Sequence, residues 1–166
     1  MRVLVAYGSK RGGTAGIAEV IGAALGDAGM EAQVRPVEDV AGLRGYDAAI
    51  IGGSLYVMRW HPEAHRFVRR HARTLRAMPV WLYSSGPLDD SASRQDIPPV
   101  AQVRRLMERI DARGHRTFGG RLAPEATGFP AAAMARDASG DWRDLRQIRA
   151  WAAEVADELA DAASVR

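Results

Sequence analysis

The chain has 166 residues, 47% of them hydrophobic and 26% charged, the size and composition of one domain, residues 1–166, with a proper buried core. It contains no cysteine, which excludes disulfides, thiolate-held zinc or iron–sulfur centres and a cysteine nucleophile. The net charge is only +3, with Lys10 the single lysine among 23 basic residues, and the arginines lie among acids along helical stretches instead of forming the basic patch of a nucleic-acid binder.

The N-terminus enters structure at once, without the pattern of a signal peptide. No apolar run approaches the roughly 20 residues of a membrane span. These features point to a cytoplasmic protein. The first β-like run covers 2–7. A helix then starts at Thr14, carries Ile17, Ile21, Ala24, Leu25 and Ala28 on one stripe, and stops at Gly29. The second run is 31–37, followed by a short helical stretch over 38–43. The third run, 47–53, contains Ala48-Ala49-Ile50-Ile51, apolar on both faces as a strand between two helical layers must be. A helix opens at His61-Pro62, with proline in its first turn, and continues to Ala77. Strand 79–84, helix 99–113 and strand 116–122 follow. The stretch 123–140, rich in Ala, Gly and Pro, reads as a long connection. The last helix, 142–162, lines up Trp142, Leu145, Ile148, Trp151, Ala152, Val155 and Leu159.

Alternating strands and helices imply a parallel sheet with right-handed crossovers. Five strands in a chain of this length suit a three-layer, doubly wound α/β sheet of flavodoxin-like type, strand order 2-1-3-4-5. In that topology the ligand crevice lies at the carboxyl ends of strands 1 and 3. The loops 8–14, 54–60 and 85–96 should therefore carry the function.

The first of these reads Gly8-Ser9-Lys10-Arg11-Gly12-Gly13-Thr14 and leads into a helix. Hydroxyls, adjacent glycines and backbone N–H groups meeting a helix N-terminus suit a phosphate. Gly8 and Gly13 have P-loop spacing, but Thr14 stands where the obligatory lysine belongs, so nucleoside triphosphate hydrolysis is not expected. The dinucleotide pattern G-x-G-x-x-G is absent. The acids of a phosphoryl-accepting receiver are also missing, since Tyr7-Gly8 and Gly52-Gly53 occupy their places. A phosphomonoester held by hydroxyls and amides remains, and FMN is its obvious owner. A glycine-rich turn can also be nothing more than a tight turn; the hydroxyls flanking the glycines favour the phosphate.

Loop 54–60 presents Ser54, Leu55, Tyr56, Val57, Met58, Arg59 and Trp60. Tyr56 is the better candidate to wall an isoalloxazine ring, while Met58 and Trp60 suit a core role equally well. In the third loop Ser85, Gly86, Pro87 and Leu88 offer small groups and backbone amides to the pyrimidine edge, and Asp89 and Asp90 suit a capped turn. The expected cofactor-binding set is Ser9, Arg11, Gly12, Gly13 and Thr14 for the phosphate, with Ser54, Leu55 and Tyr56 on one side of the ring and Ser85, Gly86, Pro87 and Leu88 on the other. No metal is expected. His61 and His65 are spaced i,i+4, but His61 reads as a helix start, and no third ligand cluster stands beside them.

The chain resembles the flavodoxin superfamily, and within it the menaquinone-dependent protoporphyrinogen oxidase branch. The resemblance rests on Gly52-Gly53-Ser54-Leu55, Trp60-His61-Pro62, Phe67-Val68-Arg69-Arg70-His71-Ala72, Met78-Pro79, Phe118-Gly119-Gly120-Arg121-Leu122 and the stretch from Asp141-Trp142 to Trp151-Ala152. It implies an FMN-dependent oxidoreductase that oxidises protoporphyrinogen IX at flavin N5 and passes the electrons to a quinone. It also implies peripheral contact with the inner face of the membrane. The cofactor would carry the redox chemistry and the protein would orient it. Two alternatives stay open, a flavodoxin-type electron carrier docking on a redox partner protein and a flavin-free interaction module. Flavodoxin carriers are similar to one another in being strongly acidic, which this chain is not.

Overall fold

A computed structural model describes residues 1–9, 12–122 and 140–165. Its central strands have no polar side. Val3 and Val5 join one hydrophobic core and Leu4 and Ala6 the other, all fully buried, an arrangement stable only between two layers of helices. Strand β1 (Arg2–Gly8) pairs in parallel with β2 (Glu31–Pro36) and with β3 (Ala48–Tyr56). At its end β3 turns back into a short antiparallel strand, β4 (Arg59–Trp60). Strand β5 (Val80–Ser85) pairs with β3, and β6 (Gly114–Phe118) with β5. The path β2-β1-β3-β5-β6 is the expected 2-1-3-4-5 order once β4 is set aside.

Helices α1 (Gly13–Asp27) and α6 (Leu145–Ser164) cover one face, packing Ile17, Ile21, Trp151 and Val155 against Val3, Ile50, Tyr83 and Phe118. Helices α2 (Pro62–Arg70), α3 (Ala72–Arg76) and α5 (Ala101–Ile110) cover the other with Phe67, Val68, Leu75, Val103 and Leu106. A four-residue helix, α4 (Ser91–Arg94), follows β5. Among the described residues no helix is long and apolar enough to cross a membrane.

Several boundaries differ from those expected. The stretch 38–43 holds only a 3-10 turn at Val37–Asp39, because Val40 and Leu43 leave it to bury themselves in the core. The helix expected over 61–77 is two helices meeting at His71, whose φ of −100° and ψ of 15° depart from helical values. Helix α5 ends at Asp111 in the left-handed region, φ 53°. The fifth strand stops at Phe118. Beyond it, the Trp142 carbonyl occupies the space where a side chain at Gly119 would lie, and the chain continues as β7 (Arg121–Leu122), antiparallel to β8 (Gly140–Asp141). Apart from Gly140, the connection over 123–140 lies outside the described residues. Helix α6 starts at Leu145, not Trp142, because the Asp144 carboxylate accepts hydrogen bonds from the Arg146 and Gln147 amides at 3.0 and 3.2 Å.

Candidate functional site

The carboxyl ends of β1, β3 and β5 stand side by side, with Gly8 opposite Gly53 and Ser54 opposite Ser85. This is the point at which the strand order reverses, and all three predicted loops leave from it.

In the first loop Ser9 is half-buried and Gly12, with φ 79°, is the N-cap of α1. A left-handed residue facing open space suits glycine. No side chain among the described residues caps this helix, so the first amides of α1 have no partner within it. Arg11 lies outside the described residues. Thr14 is buried, and its hydroxyl donates to Ser85 Oγ at 3.3 Å. Its carbonyl accepts a hydrogen bond from the Tyr83 hydroxyl at 3.1 Å. Burial, with a smaller contribution from Tyr7, pushes the Tyr83 phenol far up, so it remains a donor. Thr14 therefore ties the first loop to the third, a connection that the sequence spacing does not reveal.

The second wall is a hairpin and not an open loop. β3 runs on to Tyr56, and Leu55 and Tyr56 pair with Trp60 and Arg59. The two turn residues, Val57 and Met58, have φ of 48° and 61° and are 85% and 72% exposed. Trp60 takes the core role. Its indole fills the space where a side chain at Gly53 would lie, 2.7 Å from an added Cβ. Its amide donates to Gln102 Oε1 at 2.8 Å. His61 is buried, and its Nδ1 accepts from the Glu63 amide at 3.3 Å as the cap of α2.

In the third wall the Gly86 amide is not available to a ligand, because it donates to the Phe118 carbonyl at 3.1 Å. The Pro87 carbonyl accepts from the Gly120 amide at 2.9 Å. Asp89 accepts hydrogen bonds from the Ser91 amide and hydroxyl, which hold its carboxyl below the usual range. These bonds close a turn just ahead of α4, whose N-cap is Asp90.

Ser54, Leu55, Tyr56, Ser85, Gly86 and Leu88 come together around a cleft of about 40 Å³, completed by Gly120 and Arg121. Ser54 Oγ is buried with no hydrogen-bond partner among the described residues. A buried hydroxyl in that state costs about 1–3 kcal/mol unless something completes it, so a polar ligand atom in the cleft would satisfy it. Gly120 and Arg121 were missing from the sequence-predicted set because they continue the β-like pattern of strand 5; only the Gly119-Gly120 pair signals that the strand ends there. Arg121 packs its backbone against Gly13, with its Cβ 3.2 Å from the position of an added glycine Cβ. Beside it Arg143 grips Asp141 through Nε and Nη2 at 2.9 and 2.7 Å and reaches the Gly13 carbonyl at 3.4 Å. That pairing lowers the Asp141 carboxyl and raises the Arg143 guanidinium. The β7–β8 ribbon thus stands against the start of α1, with the Arg143–Asp141 ion pair beside it.

A sequence-family model for the flavodoxin domain matches residues 4–136. The chain belongs to the flavodoxin domain family. The chain is 30% identical over 86 residues to protoporphyrinogen IX dehydrogenase [quinone] of Escherichia coli strain K12, a match covering 51% of this chain and 48% of that protein. The matched stretch thus spans about half the length of this curated relative. Among solved structures, a flavodoxin from the domain Archaea superposes with a TM-score of 0.61 at 15% identity, over 96% of this chain and 99% of that one. The rubredoxin oxygen:oxidoreductase of Desulfovibrio gigas gives 0.66 at 11%, over 96% of this chain and 36% of that one. At such identities these two structures speak for the fold of the flavodoxin domain.

Proposed function

We propose that the chain binds FMN at this cleft and acts as an oxidoreductase of the protoporphyrinogen–quinone type. The observation that carries the cofactor is the Ser54 hydroxyl, buried between the second and third walls with no hydrogen-bond partner among the described residues, at the same switch point from which α1 starts without a side-chain cap among those residues. Ser9, Gly12, Gly13 and the first amides of α1 would hold the phosphate, with the helix dipole adding favourable charge. Ser54, Leu55 and Tyr56 would face Ser85, Gly86, Pro87 and Leu88 across the ring. Bound there, FMN supplies a centre that takes electrons from an organic donor and passes them to an acceptor.

The residues themselves orient and exclude. Thr14 and Ser85 lock the first and third walls together through their hydroxyls. Leu55 and Leu88 make the cleft apolar beside Ser54, which keeps water from the reacting edge. The choice of a porphyrinogen as donor and a quinone as acceptor is supported by the Escherichia coli relative's name.

Titration of the purified chain with FMN tests the cofactor. Saturable quenching of flavin fluorescence is expected, weaker for riboflavin, which lacks the phosphate. Anaerobic mixing of the FMN-loaded protein with protoporphyrinogen and menaquinone tests the reaction. Absence of turnover would remove the oxidase reading and leave FMN binding intact.

A further inference from the structure

Two cavities of about 500 Å³ adjoin one another beyond the cleft. One, of about 490 Å³, begins at Tyr56, which also lines the cleft, and is walled by Trp60, His61 and Pro62. It shares Arg59, His65 and Gln102 with a second, of about 500 Å³, set between the hairpin, α2 and α5. Four arginines line that second bay, Arg59 from the hairpin, Arg69 from α2, and Arg105 and Arg109 from α5, and no acid lines it among the described residues. None of the four forms an ion pair among the described residues, whereas Arg66, next to them on α2, is paired with Glu63. Burial, then Arg69 and Arg59, push the His65 imidazole below its ordinary pKa. The field of those guanidinium groups therefore reaches into the bay.

We propose that this bay binds the carboxylates of a small molecule with a flat apolar body, the body lying along Tyr56, Trp60 and Pro62 toward the cleft. Like charges brought together without counter-ions repel one another, and an anion bridging them removes that cost while forming charge-assisted hydrogen bonds. The volume suits a small molecule, whereas a protein partner would need a broad surface of about 800 Å². The proposal adds a recognition site to the oxidoreductase reading and rests on it only for the direction in which the body points.

Protoporphyrin IX, a flat dicarboxylate, serves as the probe, followed by quenching of tryptophan fluorescence on the full chain in dilute non-ionic detergent; its dimethyl ester is the control. The acid should bind more tightly than the ester and weaken with added salt. Joint Arg105→Gln and Arg109→Gln substitution should weaken the acid roughly 10–100-fold and leave the ester unchanged. Arg149→Gln, on the exposed side of α6, should leave both within about twofold. Thermal melting and FMN titration of the same variants report folding and the cofactor site separately. Equal binding of acid and ester, or an arginine variant that melts normally and binds the acid like the parent, overturns the proposal. If FMN fails to bind while the arginine dependence holds, the cofactor reading falls and the anion site stands.

Discussion

On one side of the sheet, α1 and α6 close over Tyr83, Phe118 and Trp151. These rings meet at centroid distances of 5.6 to 6.5 Å, and Trp151 stands nearly edge-on to the other two. On the other side, the helical layer is broken at His71 and leaves the arginine bay between α2 and α5. The adjacent glycines at the end of β3 show the same contrast at the scale of single residues. The place of a side chain at Gly52 is filled by the Tyr83 ring and that at Gly53 by the Trp60 indole. Tyr83 is anchored to the closed side and to Thr14. Trp60 hangs from a two-stranded hairpin whose turn projects into solvent. The closed face therefore fixes where the first loop sits, and the open face offers the surface that a second molecule can reach.

The largest expected effect lies on the closed face. Trp151→Ala removes a ring that contacts both Tyr83 and Phe118 and is only 7% exposed. It should lower stability by about 3–5 kcal/mol, read from urea unfolding at unchanged slope. A loss below about 1 kcal/mol would mean that the aromatic cluster does not hold this face rigid, and the contrast between the two faces would collapse.

The open face should give the clearest pH dependence. His115 on β6 places Nε2 2.9 Å from Ser84 Oγ, and burial drives its pKa down to about 4, against an opposing pull from Asp96. In the unfolded chain the same imidazole takes up a proton near pH 6.5. Between pH 6.5 and 4 the unfolded state thus binds more protons, and stability falls as the pH falls. The decline levels off below about 4 and amounts to about 3 kcal/mol in all. His115→Gln should flatten the curve in this window. Contributions from Asp89 and Asp141, whose carboxyls are held low, would remain because they are lost at lower pH. A variant curve parallel to the parent's would show that His115 is not the group responsible.

The layers of the fold were legible because β1 and β3 alternate apolar residues onto both faces, and only helices on both sides can bury such strands. Most of the cleft was legible as well, since topology alone dictates which loops converge, and six of the twelve expected residues line it. Three features were not. Thr14 and Ser85 are 71 positions apart, and no local pattern says that two loop hydroxyls will meet. Arg121 was hidden in an apparently continuous strand, which ends because the backbone at Gly119 must pass close to Trp142. The hairpin escaped because its turn residues are Val57 and Met58, whereas two-residue turns of this kind favour Asn-Gly or Asp-Gly.

That unfavourable pair gives the smallest and sharpest test of the open face. A left-handed residue other than glycine costs roughly 1–2 kcal/mol, and both side chains are exposed, so burial does not offset the strain. Met58→Gly should raise stability by about 1 kcal/mol, visible as a higher melting temperature. Met58→Ala removes the same exposed side chain but keeps a Cβ at φ 61°, and should give no gain. Tyr56 and Arg59 flank the turn and stay paired in the hairpin register, so FMN affinity should survive the glycine substitution, whereas porphyrin affinity reports on Met58 itself, which lines the arginine bay. If the melting temperature rises but porphyrin binding is lost, the apolar tip is itself part of the recognition surface. If glycine and alanine behave alike, the turn carries no strain to release, and the hairpin is as settled as the closed face.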